Sequence, residues 1–439
     1  MKLDSIGDLT RTHFSNDITA ELDCKKVILN GWVQEKRDLG GIIFIILQDR
    51  SGTIQITVPK KTVTSEVLVK SNLIQKRYSV SISGIVKKTK MSPRGVEVIP
   101  NEIRVLGKAV TKLPIDITGK TPANIESRLD ARALDLCSKQ NVALFTIQHQ
   151  ALKEIREFLF AKGFLEVHTP RIIASATEGG AELFAVDYFG EEAFLAQSPQ
   201  LYKEQLVMSL EKVFEVGPFF RAEDSHTRRH LSEFVSVDIE QAFTDARGVM
   251  RLLEQVIKQV YIKVNENCKK ELAILKHTLE IPSTPFEILT YDQVLAQLKK
   301  DGIEIAWGED LDTEALRTLG KSYPQFYFIT DWPTKSKAFY IKPYNKTPKK
   351  CEGFDLMWNW IELVSGGSRI SNKKLLIERL KQKDLNPKSF AYHLKAFDYG
   401  MPPHAGWAIG LERLTMLLTG KKNIREVTFY PRDKMRLAP

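Results

Sequence analysis

Residues 219–243 restrict the fold of this chain more than any other stretch, because they predict two antiparallel strands joined by a short charged loop. On the first strand, Arg221 and Glu223 are two residues apart and therefore share one face of a sheet. On the second strand, every other residue within 235–239 is apolar, and the alternate positions carry a ring or polar groups: Phe234, Ser236, Asp238 and Glu240.

The loop between these strands carries four cationic or imidazole side chains: His226, Arg228, Arg229 and His230. One face of the sheet would therefore present an arginine, an aromatic ring and carboxylates beneath a basic loop. Such a face suits a triphosphate, a flat base and an ammonium group together. A solvated antiparallel hairpin is the alternative for this stretch alone.

The composition predicts a globular protein of more than one domain. The chain has 439 residues, of which 43% are hydrophobic and 27% charged, and 64 Lys+Arg against 54 Asp+Glu give a net charge of +10. A polyanionic partner fits that balance. We expect no membrane segment and no signal peptide, since apolar runs are short and the N-terminus is polar. Four cysteines without CxxC spacing predict no disulfide framework and no zinc site, and hence a reducing cytoplasm.

Residues 26–107 predict a small closed barrel of the OB type. Five short apolar or alternating segments are separated by turn sequences, with a helical segment near residues 64–73. Such barrels commonly bind single-stranded nucleic acid by stacking bases on exposed rings. Phe44 lies mid-strand, with Arg37 before it and Gln55 on the next strand. A phenylalanine of the barrel core is the alternative interpretation of Phe44.

The chain therefore divides into a barrel domain at 1–110, a linker at 111–138 and a second domain at 139–439. The second domain contains both predicted helices and predicted strands. Residues 267–320 predict a small helical insertion in it. Pro170 interrupts a predicted strand and indicates a sheet edge or an interface.

A nucleotide in this chain would have to be held by arginines and carboxylates, because neither GxxxxGK[ST] nor GxGxxG is present. Arg413 lies in the first turn of a helix predicted directly after an apolar, glycine-bearing strand. An arginine there opposes the helix dipole, so it needs an anionic or aromatic partner.

Three separated segments resemble the signature motifs of the class II aminoacyl-tRNA synthetases: GFLEVHTPRII at 163–173, FRAED with TRRHLSEF at 220–234, and GLERL at 410–414. With the barrel and the C-terminal IREVTFYPRD, nearly the whole chain is similar to aspartyl-tRNA synthetases of the archaeal and eukaryotic type. The resemblance implies that the second domain is an α+β catalytic domain with a central antiparallel sheet flanked by helices. It also implies an ATP-dependent ligase that activates L-aspartate as aspartyl-adenylate and transfers it to the 3′ end of tRNA-Asp.

For the nucleotide, the resemblance implies two catalytic residues, Arg221 and Arg413. Arg221 would bridge the attacking carboxylate and the α-phosphate, and Arg413 would cover the base above Phe234 and reach the γ-phosphate. The full ATP-binding set that it implies is Arg221, Ala222, Glu223, Arg229, His230, Leu231, Phe234, Glu362, Gly410, Leu411, Glu412 and Arg413.

The resemblance also implies a Mg²⁺ site formed by Asp355, Glu362 and Ser365, whose hard oxygen atoms suit a phosphate-bound cation. Asp355 and Glu362 are seven residues apart and would point to opposite faces of one straight strand. A hairpin or a bulge must therefore lie between them, although Trp358-Asn359-Trp360 is a poor turn sequence.

For the amino acid, the resemblance implies that Lys203 and Arg369 clamp the side-chain carboxylate, which disfavours a neutral amide. The whole implied set is Glu178, Ser198, Gln200, Lys203, Arg221, Asp238, Ser365 and Arg369. Asparaginyl-tRNA synthetases typically have an acidic residue in place of Lys203. Ser371 and the segment WNWIEL depart from the aspartate pattern, so an asparaginyl enzyme is the alternative.

In the barrel, the resemblance implies that the anticodon is read by Arg37, Phe44, Gln55 and Glu97. Archaeal members divide into those that charge only tRNA-Asp and those that also charge tRNA-Asn. Gln34 and Pro93 occupy positions associated with that division, and Pro93 resembles the discriminating group. An enzyme that also charges tRNA-Asn is the alternative.

The implied partners are tRNA-Asp, L-aspartate and ATP with Mg²⁺, together with a second copy of the chain, since Pro170 and the preceding helix resemble the dimer motif of the family. A cytoplasmic enzyme without membrane contact is expected. Two alternatives from other classes are a non-catalytic tRNA-binding paralogue and an enzyme that makes asparagine from aspartate and ammonia. Retention of Arg221, Glu362 and Arg413 argues against the first, and the barrel argues against the second.

Overall fold

A computed structural model describes residues 2–110, 112–174, 183–223 and 230–439. The chain forms two compact units, Met1–Val142 and Ala143–Pro439. Each unit has a hydrophobic core of its own. We describe the two units separately.

The first unit contains the predicted barrel of the OB type. Its five strands close in the order β1-β2-β3-β5-β4, with a helix between β3 and β4. The elements are β1 (Lys26–Asp38), β2 (Ile42–Gln48), β3 (Thr53–Pro59), α1 (Ser65–Leu73), β4 (Ser79–Lys88) and β5 (Val96–Gly107). The β3–β5 pairing is parallel and the other pairings are antiparallel.

The barrel core follows the alternation of the strands. On β2, the side chains of Ile43, Ile45 and Leu47 are fully buried, whereas Phe44 between them is partly exposed. Successive side chains of a strand point to opposite faces, so Phe44 lies outside the barrel core. The interpretation of Phe44 as a core phenylalanine is therefore wrong.

The stretch after the barrel contains short helices, α2 (Ile125–Asp130) and α3 (Arg132–Asp135), before α4 (Lys139–Ala161) begins. Arg132 is 1% exposed, and its Nη1 atom lies 2.6 Å from Oδ2 of Asp135. Arg128 Nε lies 2.9 Å from Oδ1 of the same carboxylate. Buried ion pairs thus order part of the segment predicted as a linker.

The second unit is built on a large mixed sheet. Its described strands are β6 (Leu165–Glu166), β7 (Ile172–Ile173), β8 (Ala185–Tyr188), β9 (Glu191–Leu195), β10 (Lys212–Phe220), β11 (Glu233–Ala242), β12 (Glu287–Thr290), β13 (Phe326–Thr330), β14 (Gly353–Trp358), β15 (Ile361–Ser368) and β16 (His404–Gly410). Eight of them form one sheet in the order β12-β13-β14-β15-β16-β11-β10-β6, and β7-β9-β8 form a small second sheet.

Helices flank the large sheet, as predicted. Besides α4, the described helices are α5 (Gln200–Leu210), α6 (Ala246–Asn267), α7 (Lys269–Leu275), α8 (Tyr291–Lys300), α9 (Thr313–Ser322), α10 (Lys373–Gln382), α11 (Ala391–Ala396) and α12 (Leu411–Thr419). On α6, buried residues recur at three- and four-residue spacing and join one core cluster with Val237 and Ile239 of β11. Asp245 caps α6 by accepting a hydrogen bond from the Gly248 amide at 2.8 Å.

The sheet differs from the predicted antiparallel sheet at its two edges. There β6 pairs with β10 and β12 pairs with β13, both in parallel. Strand β12 comes from residues 267–320, so this segment supplies a strand of the sheet as well as helices. The predicted strand around Pro170 forms β6 before the proline and β7 after it, in two different sheets, which fits the missing backbone donor of proline.

The predicted hairpin of residues 219–243 is present as β10 and β11, with Phe219 directly opposite Phe234. The expectation that Arg221 and Glu223 lie on the first strand is wrong, because β10 ends at Phe220. The Arg221 amide still donates to the Ser232 carbonyl at 2.9 Å, and this bond keeps the chain beside β11 just past the strand end.

Candidate active site

A cavity of about 160 Å³ lies over β11, β16 and β15 of the second unit, beside the beginning of α12. It brings together residues that are widely separated in the sequence, in particular Arg221, Phe234, Glu362 and Arg413. The lining residues are Arg221, Glu223, His230, Leu231, Phe234, Ser236, Glu362, Leu363, Ser365, Ala408, Gly410, Glu412, Arg413 and Ile424.

Sheet register places a row of polar side chains next to this cavity. Asp238 on β11 is opposite Ala408 on β16, Ala408 is opposite Ser365 on β15, and Ser365 is opposite Asp355 on β14. Directly paired residues of neighbouring strands lie on the same face. Asp238, Ser365 and Asp355 therefore share one face of the sheet.

The arginines of the cavity contact a ring and a carboxylate. The guanidinium carbon of Arg221 lies 5.4 Å from the centre of the Phe234 ring, and its Nε atom is buried without a hydrogen-bond partner among the described residues. Arg413 Nη1 donates to the Glu362 carbonyl at 2.7 Å and lies 3.8 Å from Oε1 of Glu362. Arg413 thus has the anionic partner that its position in a first helical turn requires.

Glu412, the neighbour of Arg413, attaches the beginning of α12 to the sheet. Its Oε1 atom accepts a hydrogen bond from the Val235 amide at 3.0 Å. Burial raises the pKa of the Glu412 carboxyl to about 7, although the Val235 amide opposes this rise. On the other side of the cavity, His230 Nε2 lies 3.8 Å from Oε2 of Glu223.

A hairpin with a bulge connects the two predicted magnesium ligands, as their spacing requires. Asn359 and Trp360 form the turn between β14 and β15, and Asn359 has a left-handed φ of 54°. Asparagine tolerates this conformation better than most residues, so the expectation of a poor turn sequence at this place is wrong. The register shifts between Leu356 and Met357, which supplies the bulge.

Asp355 is 3% exposed and is paired with a lysine that the sequence did not indicate. Lys337 Nζ donates to Oδ2 of Asp355 at 2.5 Å, while Oδ1 is buried without a hydrogen-bond partner among the described residues. Burial raises the pKa of Asp355 to about 6, and Lys337 opposes this rise. Lys337 begins the segment KAFYIK, which forms no strand.

The described part of the chain contains no group of three or more His, Cys, Asp or Glu that could hold a metal ion. Two carboxylates and a hydroxyl, at Asp355, Glu362 and Ser365, suit Mg²⁺ that takes its other ligands from phosphates and water rather than from a protein cage. The unpartnered Oδ1 atom of Asp355 fits this interpretation.

A buried cluster of four charges lies at the other end of the polar row. Lys203 Nζ on α5 lies 3.1 Å from Oδ1 of Asp238 and 3.5 Å from Oε2 of Glu240. Arg369 Nε donates to Oε1 of Glu240 at 3.0 Å. All four side chains are at most 3% exposed. Glu240, which was not among the predicted site residues, joins the two predicted cations. Its predicted position on the polar face of β11, beside Asp238, could have identified it from the sequence.

A second buried cluster lies behind Gln200. Gln200 Nε2 donates to Oε1 of Glu204 at 2.5 Å, and Oε2 of Glu204 lies 3.3 Å from His393 Nε2 and 3.6 Å from His404 Nε2. Although burial opposes it, the two imidazoles hold the pKa of Glu204 well below its usual range. Against its own burial, His404 has a raised pKa because Glu204 is beside it. Ser198 Oγ accepts from the Gln200 amide at 3.3 Å.

In the first unit, a cavity of about 520 Å³ opens on the barrel surface, lined by Glu35, Arg37, Leu39, Phe44, Ile46, Thr53, Ile54, Gln55, Met91, Ser92, Pro93 and Arg94. Arg37, Phe44, Gln55 and Pro93 are therefore together. Glu97 is buried below them and accepts from Gln55 Nε2 at 3.2 Å and from Thr57 Oγ1 at 2.7 Å. Gln34 is not among the lining residues.

Some predicted residues are not brought to either site. Glu178 and Arg229, with His226 and Arg228, lie outside the described residues. Leu411 is buried and does not line the cavity beside α12, and Ala222 does not line it either. The four cysteines are free thiols. Within the described ranges, no helix has the length and hydropathy required to cross a bilayer.

Two family models match this chain. The model described as "tRNA synthetases class II (D, K and N)" matches residues 124–434. The model described as "OB-fold nucleic acid binding domain" matches residues 27–106, which is the barrel.

Curated relatives match over nearly the full length. An "Aspartate--tRNA(Asp/Asn) ligase" of Archaeoglobus fulgidus is 49% identical over 97% of this chain and 99% of its own. An "Aspartate--tRNA(Asp) ligase" of Pyrococcus horikoshii is 47% identical over 98% of this chain and 100% of its own. Among solved structures, asparaginyl-tRNA synthetase from Pyrococcus horikoshii complexed with asparaginyl-adenylate superimposes with a TM-score of 0.93 at 31% identity, covering 98% of this chain and 100% of that chain.

Proposed function

This chain belongs to the class II tRNA synthetases (D, K and N), and we propose that within this family it is an aspartate–tRNA ligase. Enzymes of the family use ATP to activate an amino acid and then esterify it to tRNA. The buried pair of cations, Lys203 and Arg369, joined through Glu240, carries the assignment to aspartate. The curated relatives at 47–49% identity are named aspartate–tRNA ligases, which supports it.

The choice of aspartate over asparagine follows from the donors of this pocket. A carboxylate of the substrate can accept hydrogen bonds from both Lys203 and Arg369. The amide nitrogen of asparagine would instead face these N–H donors with N–H groups of its own, leaving a buried charged donor unpaired. Oδ2 of Asp238 is buried without a described partner, and it offers an acceptor to the substrate ammonium group. We assign Ser198 and Gln200, with Glu178, to the same ammonium group.

For ATP, we assign Arg221 to the α-phosphate and to the attacking carboxylate, where it would neutralise charge that develops in the transition state. Phe234 would lie under the adenine and Arg413 over it, and the location of both residues in one cavity supports this. Glu223 would accept from the adenine amino group, and His230 with Arg229 would cover the phosphates. Ala222, Leu231, Gly410, Leu411 and Glu412 complete the proposed nucleotide site.

We assign Mg²⁺ to Glu362, Ser365 and Asp355. Bound there, Mg²⁺ would neutralise phosphate charge and orient the triphosphate. Both carboxylates have a cationic neighbour in the protein, Lys337 at Asp355 and Arg413 at Glu362. These two side chains hold the carboxylates in place and compensate their charge when no ATP is bound.

For tRNA, we assign the anticodon to the barrel cavity, with Phe44 as the stacking ring and Arg37, Gln55 and Glu97 as polar contacts. We assign residues 1–110 to this function, 111–138 to the hinge and 139–439 to catalysis. Pro93, which lines that cavity, favours an enzyme for tRNA-Asp alone. Gln34, the second position associated with this specificity, lies on β1. A relative named for tRNA(Asp/Asn) and a relative named for tRNA(Asp) alone match this chain about equally, at 49% and 47% identity. Charging of tRNA-Asn as well is therefore the alternative.

We also propose a homodimer in the cytoplasm. Phe160, Leu165 and Ile172, which flank Pro170 in the sequence, are each about half exposed, at 52%, 51% and 49%. A second copy of the chain would cover these apolar side chains. Light scattering should give twice the 50.0 kDa chain mass; a monomer at micromolar concentration would contradict the dimer.

Aminoacylation with four combinations tests the function: labelled aspartate or asparagine, each with purified tRNA-Asp or tRNA-Asn. Aspartate on tRNA-Asp alone is the expected product. Aspartate on both tRNAs would overturn the discriminating assignment, and esterified asparagine would overturn the amino-acid assignment. tRNA binding without ATP–pyrophosphate exchange would identify a non-catalytic paralogue.

A further inference from the structure

A second polar cavity, of about 610 Å³, lies in the second unit beside α10. Its size is in the range of about 300–1,000 Å³ that is usual for ligand sites. Among the described residues, it shares no lining residue with the ATP cavity. It is lined by Trp307, Gly308, Glu309, Pro333, Thr334, Lys335, Pro348, Lys349, Arg379, Gln382, Lys383 and Asp384.

Arg379 is the unusual residue of this cavity, because no carboxylate of the described residues forms an ion pair with its buried guanidinium. The side chain is 5% exposed. Nη1 donates to Oε1 of Gln382 at 2.8 Å and Nη2 to the Thr334 carbonyl at 2.7 Å, both neutral acceptors. Nε has no hydrogen-bond partner among the described residues. A buried charge is normally paired with an opposite charge, and the described residues do not supply one to Arg379.

The other cations of the cavity face the same space. Lys335, Lys349 and Lys383 line it with Arg379, and Lys383 Nζ donates to the Lys335 carbonyl at 2.6 Å. Burial, with Arg379 and Lys335 nearby, lowers the pKa of Lys383. The wall also carries two carboxylates, Glu309 and Asp384. Four cations against two carboxylates give the cavity a positive balance.

Trp307 adds a flat apolar surface at the rim. Its ring is 46% exposed, and its indole N–H donates to Oδ1 of Asp292 at 3.0 Å. An exposed ring next to clustered cations suits a phosphate that is part of a nucleotide, because the base can stack while the phosphate is neutralised.

We propose that this cavity is a phosphate-binding site, separate from the ATP site, in which Arg379 and Lys383 hold the anion and Lys335 and Lys349 guide it in. Phosphate oxygens can accept hydrogen bonds from a guanidinium group and from lysine ammonium groups together. The phosphate comes either from a small phosphate compound or from the backbone of tRNA. The second source depends on the proposed function, whereas the first does not.

Calorimetric titration of the full-length protein with inorganic phosphate tests the first source. We expect binding that weakens at least tenfold in Lys383→Gln and in Arg379→Gln. Lys381→Gln, an exposed lysine of the same helix outside the lining, is the matched control and should bind as the unchanged protein does. Arg413→Gln should also retain binding, because it alters the ATP site alone. Lys335→Gln, at the exposed rim, should also weaken phosphate binding. It replaces the buried Arg379 variant if that variant does not fold.

The salt dependence of tRNA binding tests the second source. Each phosphate contact that is lost lowers the slope of log K against log salt by about 1. A smaller slope in Lys383→Gln and Lys335→Gln, with an unchanged slope in Lys381→Gln, would assign the cavity to tRNA. Aminoacylation by the unchanged protein is measured in parallel, so that loss of the proposed function is distinguished from loss of this site.

Two outcomes overturn the proposal. One is phosphate binding that is equal in all variants, or that is lost only in Arg413→Gln. The other is absence of phosphate binding together with a tRNA salt slope that the cavity variants do not change.

Discussion

The two halves of the proposed active site differ in how far their charges are compensated before any ligand arrives. In the amino-acid half, Lys203, Arg369, Asp238 and Glu240 are buried and already paired. In the nucleotide half, Arg413 and Glu362 are partly exposed, at 28% and 47%, and their charged atoms are 3.8 Å apart. The first half is therefore set by folding, and the second is available for rearrangement around ATP.

The difference has an energetic origin. A buried ion pair that loses one partner leaves a charge without solvent, which is strongly destabilising. An exposed pair contributes little, because water and salt screen it. Substitutions that alter selection of the amino acid should therefore also lower the stability of the fold. Substitutions that alter ATP binding should leave the stability unchanged.

The largest effect is expected for Lys203→Met, which breaks the amino-acid half. Asp238 and Glu240 would remain buried with only Arg369 to compensate them, so the free energy of unfolding should fall by about 3–5 kcal/mol. Urea unfolding followed by circular dichroism measures this.

The matched control is Lys263→Met on α6, where the pair with Glu266 is exposed. It should leave the urea midpoint unchanged. Equal loss of stability in both variants would remove the contrast between buried and exposed pairs.

Arg221→Gln tests the nucleotide half. Removal of one charge-stabilising donor from an active site typically lowers kcat by about 10²–10³, or about 2.7–4 kcal/mol. We expect this loss in ATP–pyrophosphate exchange, with an unfolding midpoint close to that of the unchanged protein, because Arg221 is only half-buried. A variant that lost stability without a specific loss of kcat would group Arg221 with the buried charges of the amino-acid half, which stabilise the fold.

Two glycines of β16 offer a finer test within one strand. A Cβ atom at Gly406 would lie 2.2 Å from the Ile239 carbonyl and 2.3 Å from Oε2 of Glu240, whereas at Gly410 the nearest atoms are 3.9 Å away. Gly406→Ala should therefore cost about 1–3 kcal/mol and raise the KM for aspartate, since Glu240 must move. Gly410→Ala should leave stability within about 0.5 kcal/mol. Similar unfolding curves for the two variants would show that both the Ile239 carbonyl and the Glu240 side chain shift at little cost.

Much of this organisation could be predicted from local sequence patterns. Alternation in residues 235–240 placed Asp238 and Glu240 on one face of β11, and the glycine-bearing run before Arg413 predicted the passage from β16 to α12. The barrel followed from five short segments with turn residues between them. These features depend on neighbours in the chain, which a single sequence displays.

The remaining features depend on the sheet order, which local patterns do not contain. The row of Asp238, Ser365 and Asp355 exists because β11, β16, β15 and β14 are neighbours. Lys337 reaches Asp355 from an irregular segment without periodicity. The parallel edge strand β12 has only four residues, so its pattern was too short to separate it from the helices around it.

The smallest predicted effect is on the Mg²⁺ requirement of the reaction. It distinguishes the two carboxylates of the β14–β15 hairpin, buried Asp355 and half-exposed Glu362. Burial raises the pKa of Asp355 to about 6. The folded protein then holds this proton more tightly than the unfolded chain does, so the contribution of Asp355 to stability is greatest below about pH 4 and is lost as the pH rises through 6. Mg²⁺ binding has the opposite sign, because only the ionised carboxylate is a ligand.

The Mg²⁺ concentration that gives half-maximal ATP–pyrophosphate exchange should consequently fall as the pH rises from 5 to 7, by at most about tenfold per pH unit. Asp355→Asn removes the titrating group and should give a higher Mg²⁺ requirement that no longer changes over this interval. Glu362→Gln leaves Asp355 in place and should keep the pH dependence at a higher requirement. If Asp355→Asn showed the same pH profile as the unchanged protein, Asp355 would have a structural role with Lys337, and Glu362 with Ser365 would hold the ion without it.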